Sequence, residues 1–240
     1  MKKLFSVVLI MASVVCFFSC SESVERPHIP NMVSLKVGEH YGLGVNSEWH
    51  SSNPFSATVN EYGTISGIRA GEATVSTNYF DLSCKVIVKP SYTLYEEPVL
   101  QWGISKNTLI SKRGSNYVED NGVIAYTNNS NVAPIEMYMF ENNKLVSSVE
   151  IVKTTHTEEL VEHLGQRYKP AAIDNNSYAY YFLDGNVTAD ASMAVIVSLY
   201  NTQLWQVVYM PVEKSRGKTI RDNFPAPLSI AIDSLITKGF

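Results

Sequence analysis

The chain has 240 residues, of which 45% are hydrophobic and 18% are charged, and its formal net charge is −4. This composition excludes a disordered, collagen-like or coiled-coil protein, and three cysteines are too few for a disulfide-stabilised scaffold. The negative charge argues against nucleic-acid binding, so no nucleic-acid partner is expected.

The amino terminus predicts a signal peptide. Lys2 and Lys3 precede an apolar run over 4–18 that contains only two serines. This run is shorter than the ~20 residues that a membrane-spanning helix needs, and it suits the hydrophobic region of a secretory leader. The Ser19-Cys20 pair that follows resembles a lipobox, where a lipoprotein signal peptidase cuts before a diacylated cysteine. The resemblance implies a signal peptide over 1–19 and lipid attachment at Cys20. A plain secretory leader and a retained membrane helix are the alternatives.

A lipid on Cys20 implies a protein that is anchored to a membrane without spanning it. No aspartate follows this cysteine, and the Cys-Ser-Glu start is similar to the export signals of surface lipoproteins in Gram-negative gut anaerobes. This similarity implies an outer-membrane lipoprotein that faces either the periplasm or the cell surface. Residues 20–30 are then a tether. Cys84 is the only cysteine left without a role, and its alternating neighbours predict a buried thiol on a strand.

Residues 31–90 are predicted to form a β-sandwich. Short runs of alternating apolar and polar residues are separated by turn residues every eight to twelve positions, which is typical of two packed antiparallel sheets. Gly63, Gly67 and Gly71 suit tight turns between these strands. Trp49 is predicted to fill the space between the sheets.

Five motifs in this region resemble a bacterial immunoglobulin-like domain of group 2. They are Leu-x-Val-Gly-Glu, Trp-x-Ser-Ser-Asn-Pro, Ala-Thr-Val, Gly-x-Ile-Ser-Gly and Ala-Gly-Glu-Ala-Thr-Val, at 35–39, 49–54, 57–59, 63–67 and 70–75. The resemblance implies an extracellular or envelope module that serves as a spacer or as an adhesin segment. No residue of the family motif is catalytic.

Residues 91–240 are predicted to form one α+β domain. Ser105 is expected to cap a short helix over 106–113, and Thr155-His156-Thr157-Glu158 is expected to be the capping box of a second helix. Alternating apolar residues predict three strands after each helix, over 122–126, 135–140, 145–152, 178–183, 193–200 and 204–211. The order α-β-β-β-α-β-β-β predicts an antiparallel sheet backed by two helices, and an internal duplication of an α-β-β-β unit is left open.

The predicted fold is thus multi-domain, an all-β immunoglobulin-like sandwich followed by an α+β domain. The carboxyl-terminal tail carries four basic residues within 214–221, and the stretch 228–236 is apolar enough to dock as an additional strand or helix.

Aromatic residues on two of the predicted strands form a candidate ligand platform. They alternate along each strand, so they share one face, and they are Tyr178, Tyr180, Phe182, Trp205 and Tyr209. If the helices cover this face, the rings belong to the core. If the helices cover the other face, the rings form an exposed surface that can stack on sugar or peptide.

Residues that point to catalysis or metal binding are scarce. The sequence has no nucleophile elbow, P-loop, dinucleotide fingerprint or zinc-protease motif. His156, Glu159 and His163 share one helix face at a spacing that zinc accepts, but the apolar residues of that helix predict that the trio is solvated. Asp174, Asp184 and Asp190 lie in predicted turns without the spacing of an EF-hand. No cofactor and no metal are therefore expected.

These observations predict a non-enzymatic lipoprotein of the cell envelope or surface. The immunoglobulin-like module is expected to be a spacer that presents the 91–240 domain to a glycan, a peptide or a partner protein. Two alternatives are an extracellular hydrolase of unrecognised type and a structural accessory in envelope assembly.

Overall fold

A computed structural model describes residues 25–174, 179–187 and 189–212. The protein is rich in β-structure, with 46% of residues in strands, and the described strands form three sheets. No helix within these ranges is long and apolar enough to cross a bilayer. The predictions for the leader, for Cys20 and Tyr178, and for the tail beyond Val212 lie outside the described residues.

Residues 25–90, the first part of the chain, form two small sheets. One sheet has the strand order β1-β7-β6-β3 and the other has the order β2-β5-β4. The first strand, β1, runs parallel to β7, whereas the other pairs are antiparallel. The strands are β1 Met32–Lys36, β2 His40–Gly42, β3 His50–Ser51, β4 Ala57–Val59, β5 Thr64–Gly67, β6 Gly71–Thr77 and β7 Leu82–Lys89.

Both small sheets contribute to one hydrophobic core. Ile65 of β5 and Val75 of β6 lie in it, and so does Trp49. The Trp49 indole nitrogen donates to the carbonyl oxygen of Val45 at 2.9 Å, which satisfies its polar atom inside the core. Cys84 is buried in the same cluster, as its alternating neighbours predicted, and burial raises the pKa of its thiol.

Residues 91–212, the second part, contain one eight-stranded sheet and two α-helices within the described ranges. The strand order is β12-β13-β14-β15-β11-β10-β9-β8. The helices are α1 Lys106–Arg113 and α2 Thr157–Gly165. The strands are β8 Val118–Asp120, β9 Val123–Thr127, β10 Ile135–Glu141, β11 Lys144–Lys153, β12 Lys169–Asp174, β13 Ala179–Leu183, β14 Met193–Asn201 and β15 Leu204–Pro211.

Each helix is followed by four antiparallel strands, and not by the three that the sequence predicted. The two additional strands, β8 and β12, are the outer strands of the sheet among the described residues. Neither strand has the alternating apolar residues by which the other strands were predicted. Strand β8 is three residues long with two acidic residues, and β12 contains Pro170. Charged residues and proline are characteristic of sheet edges, where they hinder pairing with another chain.

The two helices begin differently. Helix α1 has the predicted cap, because the Ser105 side chain accepts from the backbone N–H of Thr108 at 3.2 Å. The predicted capping box of α2 is wrong. A 3₁₀ turn over Thr154–His156 precedes this helix, and no side chain caps it. Instead, the Thr157 hydroxyl donates to the carbonyl oxygen of Thr154 at 2.6 Å, so the turn and the helix are continuous.

Both helices lie on the same face of the large sheet, which we call the helix face. Leu109 of α1 packs with Tyr138, and Leu160 of α2 packs with Tyr209. Tyr138 and Tyr209 are both register partners of Ser148, so their side chains share a face. The opposite face carries a third cluster, made of buried side chains from β9, β10, β11, β13, β14 and β15. We call this the helix-free face.

The two parts of the chain meet at the carboxyl end of α2. The Gln166 side-chain oxygen accepts from the backbone N–H groups of Ser91 and Tyr92, at 2.7 and 3.0 Å. The Gln166 carbonyl oxygen accepts from the N–H of Ala70 at 2.8 Å. These bonds fix the chain segment that joins the two parts against α2.

Candidate binding groove

An apolar groove of about 320 Å³ opens between α2 and the outer strands of the large sheet. Its floor and walls come from the helix and from four strands. The lining residues are Thr157, Leu160, Val161, Leu164, Pro170, Ala172, Ile173, Tyr180, Tyr181, Phe182, Val197 and Trp205. We call this the α2 groove.

The groove has a buried floor and an exposed apolar rim. Phe182 and Leu160 are buried and close the bottom. Val161, Ile173 and Tyr180 are 59%, 61% and 40% exposed at the rim. Exposed apolar side chains that surround a concave surface are typical of binding sites, whereas single exposed apolar residues are common on all protein surfaces.

Two aromatic rings form one end of the groove. Tyr180 and Trp205 are in edge-to-face contact, with ring centroids 6.4 Å apart and planes at 77°. The Trp205 indole nitrogen donates to the Thr157 hydroxyl at 2.8 Å, so the helix holds the indole in a fixed orientation. The ring surface is therefore preorganised for a ligand, which lowers the entropic cost of binding.

The charged side chains on the helix side of the groove are acidic. None of the residues that line it is charged. Helix α2, however, carries Glu158, Glu159 and Glu162 and has no lysine or arginine. Glu158 lies one turn before Val161, so the two side chains are neighbours on the helix surface. The groove thus combines an apolar interior with an acidic rim on the helix side.

The structure separates the predicted aromatic platform into two environments. Tyr180 and Trp205 line the groove together and Phe182 lies at its floor. Tyr209 is fully buried, and its hydroxyl is 2.8 Å from the hydroxyl of Tyr95 in the core. Tyr209 lies deeper because α2 and the segment around Tyr95 cover the middle of the sheet. Tyr178 lies outside the described residues.

His156, in the turn before α2, and His163, within α2, do not form a common site. His163 is fully buried, whereas we expected it to be solvated. Its ring packs on Tyr95 at 4.2 Å, and its Nδ1 accepts from the N–H of Leu94 at 3.1 Å. Burial lowers the pKa of His163 to about 3, with a further contribution from Arg167. His156 instead contacts Glu159 at 3.4 Å, and the described residues contain no group of three side chains suited to a metal.

The aspartates of the predicted turns have local structural contacts. The Asp184 carboxylate accepts from the Ser192 N–H at 2.8 Å, from the Ser192 hydroxyl at 2.5 Å and from the Met193 N–H at 2.9 Å. Three donors satisfy this carboxylate and close the loop between β13 and β14. Asp190 lies in the same loop and Asp174 ends β12.

A pair of buried carboxylates was not predicted from the sequence. Glu136 of β10 and Glu150 of β11 are register partners on the helix face, and both are buried. Arg113 forms an ion pair with Glu136. One oxygen of Glu150 has no hydrogen-bond partner among the described residues. Local alternation along β10 and β11 carries no signal for this burial, because the burial depends on the helices that cover this face of the sheet.

Burial raises the pKa of Glu136 and raises that of Glu150 well above its ordinary value. The neighbouring Glu136 adds to the shift of Glu150, and Arg113 opposes it. Neither carboxylate lines the α2 groove, so they are not placed to act on a molecule bound there. Their effect is expected on stability.

Replacing Glu150 by glutamine is expected to flatten the dependence of stability on pH. The folded state holds the Glu150 proton more tightly than the unfolded state, so unfolding releases a proton above pH about 4.5. The free energy of unfolding of the wild type therefore falls as pH rises through the raised pKa. The amide stays neutral and removes this loss, and we expect a gain of about 1–3 kcal/mol at pH 8.

Urea denaturation between pH 5 and pH 8 measures this effect. Glu162→Gln on the exposed side of α2 is the matched control and is expected to keep the wild-type slope. Equal pH slopes for Glu150→Gln and the wild type would show that Glu150 is ionised in the folded protein.

Comparisons with known proteins provide no assignment. A scan against protein-family models found no match for the chain, and a search of curated proteins found no match either.

Proposed function

We propose that this protein is a non-enzymatic lipoprotein of the cell envelope that binds an apolar segment of a partner polypeptide in the α2 groove. Residues 31–90 are an immunoglobulin-like module of group 2, which spaces the binding part from the membrane. The lipid on Cys20 anchors the chain, in the outer membrane by resemblance to surface lipoproteins. Residues 91–240 are an α+β domain that carries the binding site.

The observation that carries the binding proposal is the composition of the groove. A sugar ligand needs several hydrogen-bond partners beside the aromatic rings, but the Thr157 hydroxyl and the Trp205 indole nitrogen are already bonded to each other. The other lining side chains are apolar except for the hydroxyl groups of Tyr180 and Tyr181. An apolar side chain needs no such partners and gains about 25 cal/mol for each Å² of apolar surface that it buries. The groove therefore favours a peptide or protein segment over a glycan.

The acidic rim specifies the chemistry of this partner further. Glu158 and Glu162 are exposed beside Val161, so a segment with apolar residues between basic residues complements both the groove and its rim. Opposite charges at the rim speed the encounter and select the partner more than they increase affinity. A short segment of the partner docks in the groove between α2 and the large sheet.

The test is a selection of peptides on the mature chain, from a displayed library of random 15-residue peptides. We expect enrichment of peptides with two or three apolar residues flanked by lysine or arginine. Val161→Asp is expected to lower the affinity for these peptides by about tenfold, equivalent to about 1.4 kcal/mol. Val161 is exposed, so this substitution leaves the core intact.

Val187→Asp is the matched control, because Val187 is also an exposed valine (53%) and does not line the groove. It is expected to leave binding unchanged within twofold. Binding should weaken as salt is added, since the rim contribution is electrostatic. No enrichment, or equal affinity for Val161→Asp and the wild type, would overturn the proposal. Binding to a glycan array that Val161→Asp abolishes would assign the groove to carbohydrate instead.

A further inference from the structure

A polar cleft of about 480 Å³ lies where the two parts of the chain meet. Ligand pockets commonly have volumes of about 300–1,000 Å³ and are frequent at domain interfaces. Each part of the chain contributes one wall. The polar and small residues that matter here are Asn53, Ser56 and Ala70 on the first wall and Glu97, Arg167 and Asp184 on the second. We call this the junction cleft.

Hydrogen bonds across the junction hold the two walls together. The Ala70 N–H donates to the Gln166 carbonyl oxygen at 2.8 Å. The Arg167 guanidinium donates to the carbonyl oxygen of Tyr92 at 3.2 Å and to the hydroxyl of Thr93 at 2.8 Å. The cleft is therefore formed before any ligand arrives, which lowers the entropic cost of binding.

Helix α2 leads from the α2 groove to the junction cleft. The helix runs along β15, because Thr157 at its start is bonded to Trp205 and Tyr168 beyond its end lies 6.1 Å from the Tyr209 ring. Leu164 is the last helix residue that lines the groove. Tyr168, one turn further and about 6 Å along the axis, lines the cleft.

Strand β13 leads to the cleft in the same direction. It is parallel to β15, since both strands pair antiparallel with β14. Tyr180 lies at the Trp205 end of the groove, Phe182 follows on its floor, and Asp184 lines the cleft. An extended segment advances about 3.4 Å per residue. A segment that lies along the groove therefore reaches the cleft with its next one or two side chains.

The charge of the cleft selects a cation. Glu97 and Asp184 contribute two carboxylates, and Arg167 offsets one of them. The Arg167 guanidinium is already bonded to protein oxygens. One Glu97 oxygen accepts from the Tyr168 hydroxyl, and the other has no donor among the described residues. The Glu97 side chain is 30% exposed, so its free oxygen suits a lysine ammonium or an arginine guanidinium.

We infer that the junction cleft receives a basic side chain of the partner segment whose apolar residues occupy the α2 groove. This inference rests on the proposed binding function of the groove. It gives the first part of the chain a role in recognition in addition to spacing, because Asn53, Ser56 and Ala70 belong to a wall of the cleft.

The test is a double-mutant cycle between Glu97→Gln and the partner peptide. The probe is a fluorescein-labelled peptide enriched on the wild type, together with versions in which each lysine or arginine is replaced singly by alanine. Glutamine keeps an acceptor for Tyr168 and removes the charge. We expect Glu97→Gln to weaken the parent peptide about tenfold. We expect no further loss for the peptide that lacks the basic residue of the cleft. Fluorescence anisotropy at pH 8 measures these affinities on the mature chain.

Glu96→Gln is the matched control, because Glu96 is an exposed neighbouring carboxylate that does not line the cleft. It is expected to leave the affinities unchanged within about twofold. Peptides that depend on Val161 but bind Glu97→Gln as tightly as the wild type would overturn the inference and leave the groove function standing. An equal loss in Glu96→Gln would also overturn it. The absence of enriched peptides would overturn both proposals.

Ala70→Lys tests the wall that the first part contributes. The added ammonium repels the basic side chain, so the parent peptide is expected to bind about fivefold more weakly, and the peptide without that side chain is expected to bind as before. Ile68→Lys is the control, since Ile68 lies in the same loop, is 37% exposed and does not line the cleft. Equal affinities of Ala70→Lys and the wild type for the parent peptide would overturn the role of the first part.

Discussion

Replacing Arg113 by methionine is expected to lower the free energy of unfolding by about 3 kcal/mol at pH 8. Arg113 ends α1 and pairs with Glu136, a side chain that is only 3% exposed. Its guanidinium also lies over the Tyr126 ring, 5.7 Å from the centroid. Methionine keeps much of the side-chain volume and removes the charge, so the Glu136 carboxylate is left buried beside Glu150 without its cation.

Lys112→Met is the matched control, because Lys112 and Arg113 are both basic residues of the last turn of α1. Losing a cation from a helix end costs about 0.3–1 kcal/mol, so any greater loss in Arg113→Met belongs to the contacts of Arg113 with Glu136 and with the Tyr126 ring. The double variant Arg113→Met with Glu136→Met is expected to recover most of the stability, since two apolar side chains replace the pair. Urea denaturation of the four proteins measures these values, and equal losses for the two single variants would contradict the role assigned to the pair.

The second large effect is expected for Gly63→Ala, at about 3 kcal/mol of lost stability from backbone strain and a steric clash together. Gly63 has φ of 71°, and a Cβ there would lie 2.7 Å from the carbonyl oxygen of Val45 and 3.3 Å from the Trp49 indole nitrogen. These two atoms are hydrogen-bonded to each other. The methyl group therefore strains the backbone and also displaces the acceptor of the buried tryptophan.

Gly44→Ala separates the two causes. Gly44 also has φ of 71°, but a Cβ there would meet no atom within 4 Å. This variant should show the backbone strain alone, about 1 kcal/mol. Thermal unfolding followed by circular dichroism measures both variants, and equal destabilisation would mean that the clash is absorbed without cost.

Much of the fold could be predicted from the residues. Alternation placed six of the strands of the large sheet to within two residues, and Ser105 placed the start of α1. These signals depend on residues that are close in sequence, so they do not depend on how distant segments pack against one another. The outer strands β8 and β12 were missed because their edge position tolerates charged residues and proline. A buried strand would have required apolar residues.

The groove was predicted only in part, because its geometry depends on tertiary packing. Alternation correctly placed Tyr180 and Phe182 on one face, but the position of α2 decides which rings it covers. The burial of His163 and Glu150 was not predictable for the same reason. Both are polar residues in a position that local sequence assigns to solvent, and distant segments cover them. Buried polar residues of this kind are exceptions to the rule that charged residues are exposed.

The order of the strands has a consequence for the order in which the large sheet folds. Strands β8 to β11 pair with their neighbours in sequence, as do β12 to β15, so each set of four can form from local pairings. The pairing of β11 with β15 joins residues as distant in sequence as Ser148 and Tyr209, so it is expected last. Until β15 has paired, β11 is an open edge that a second folding chain can occupy. A high concentration of folding chains would therefore favour strand-exchanged dimers over monomers.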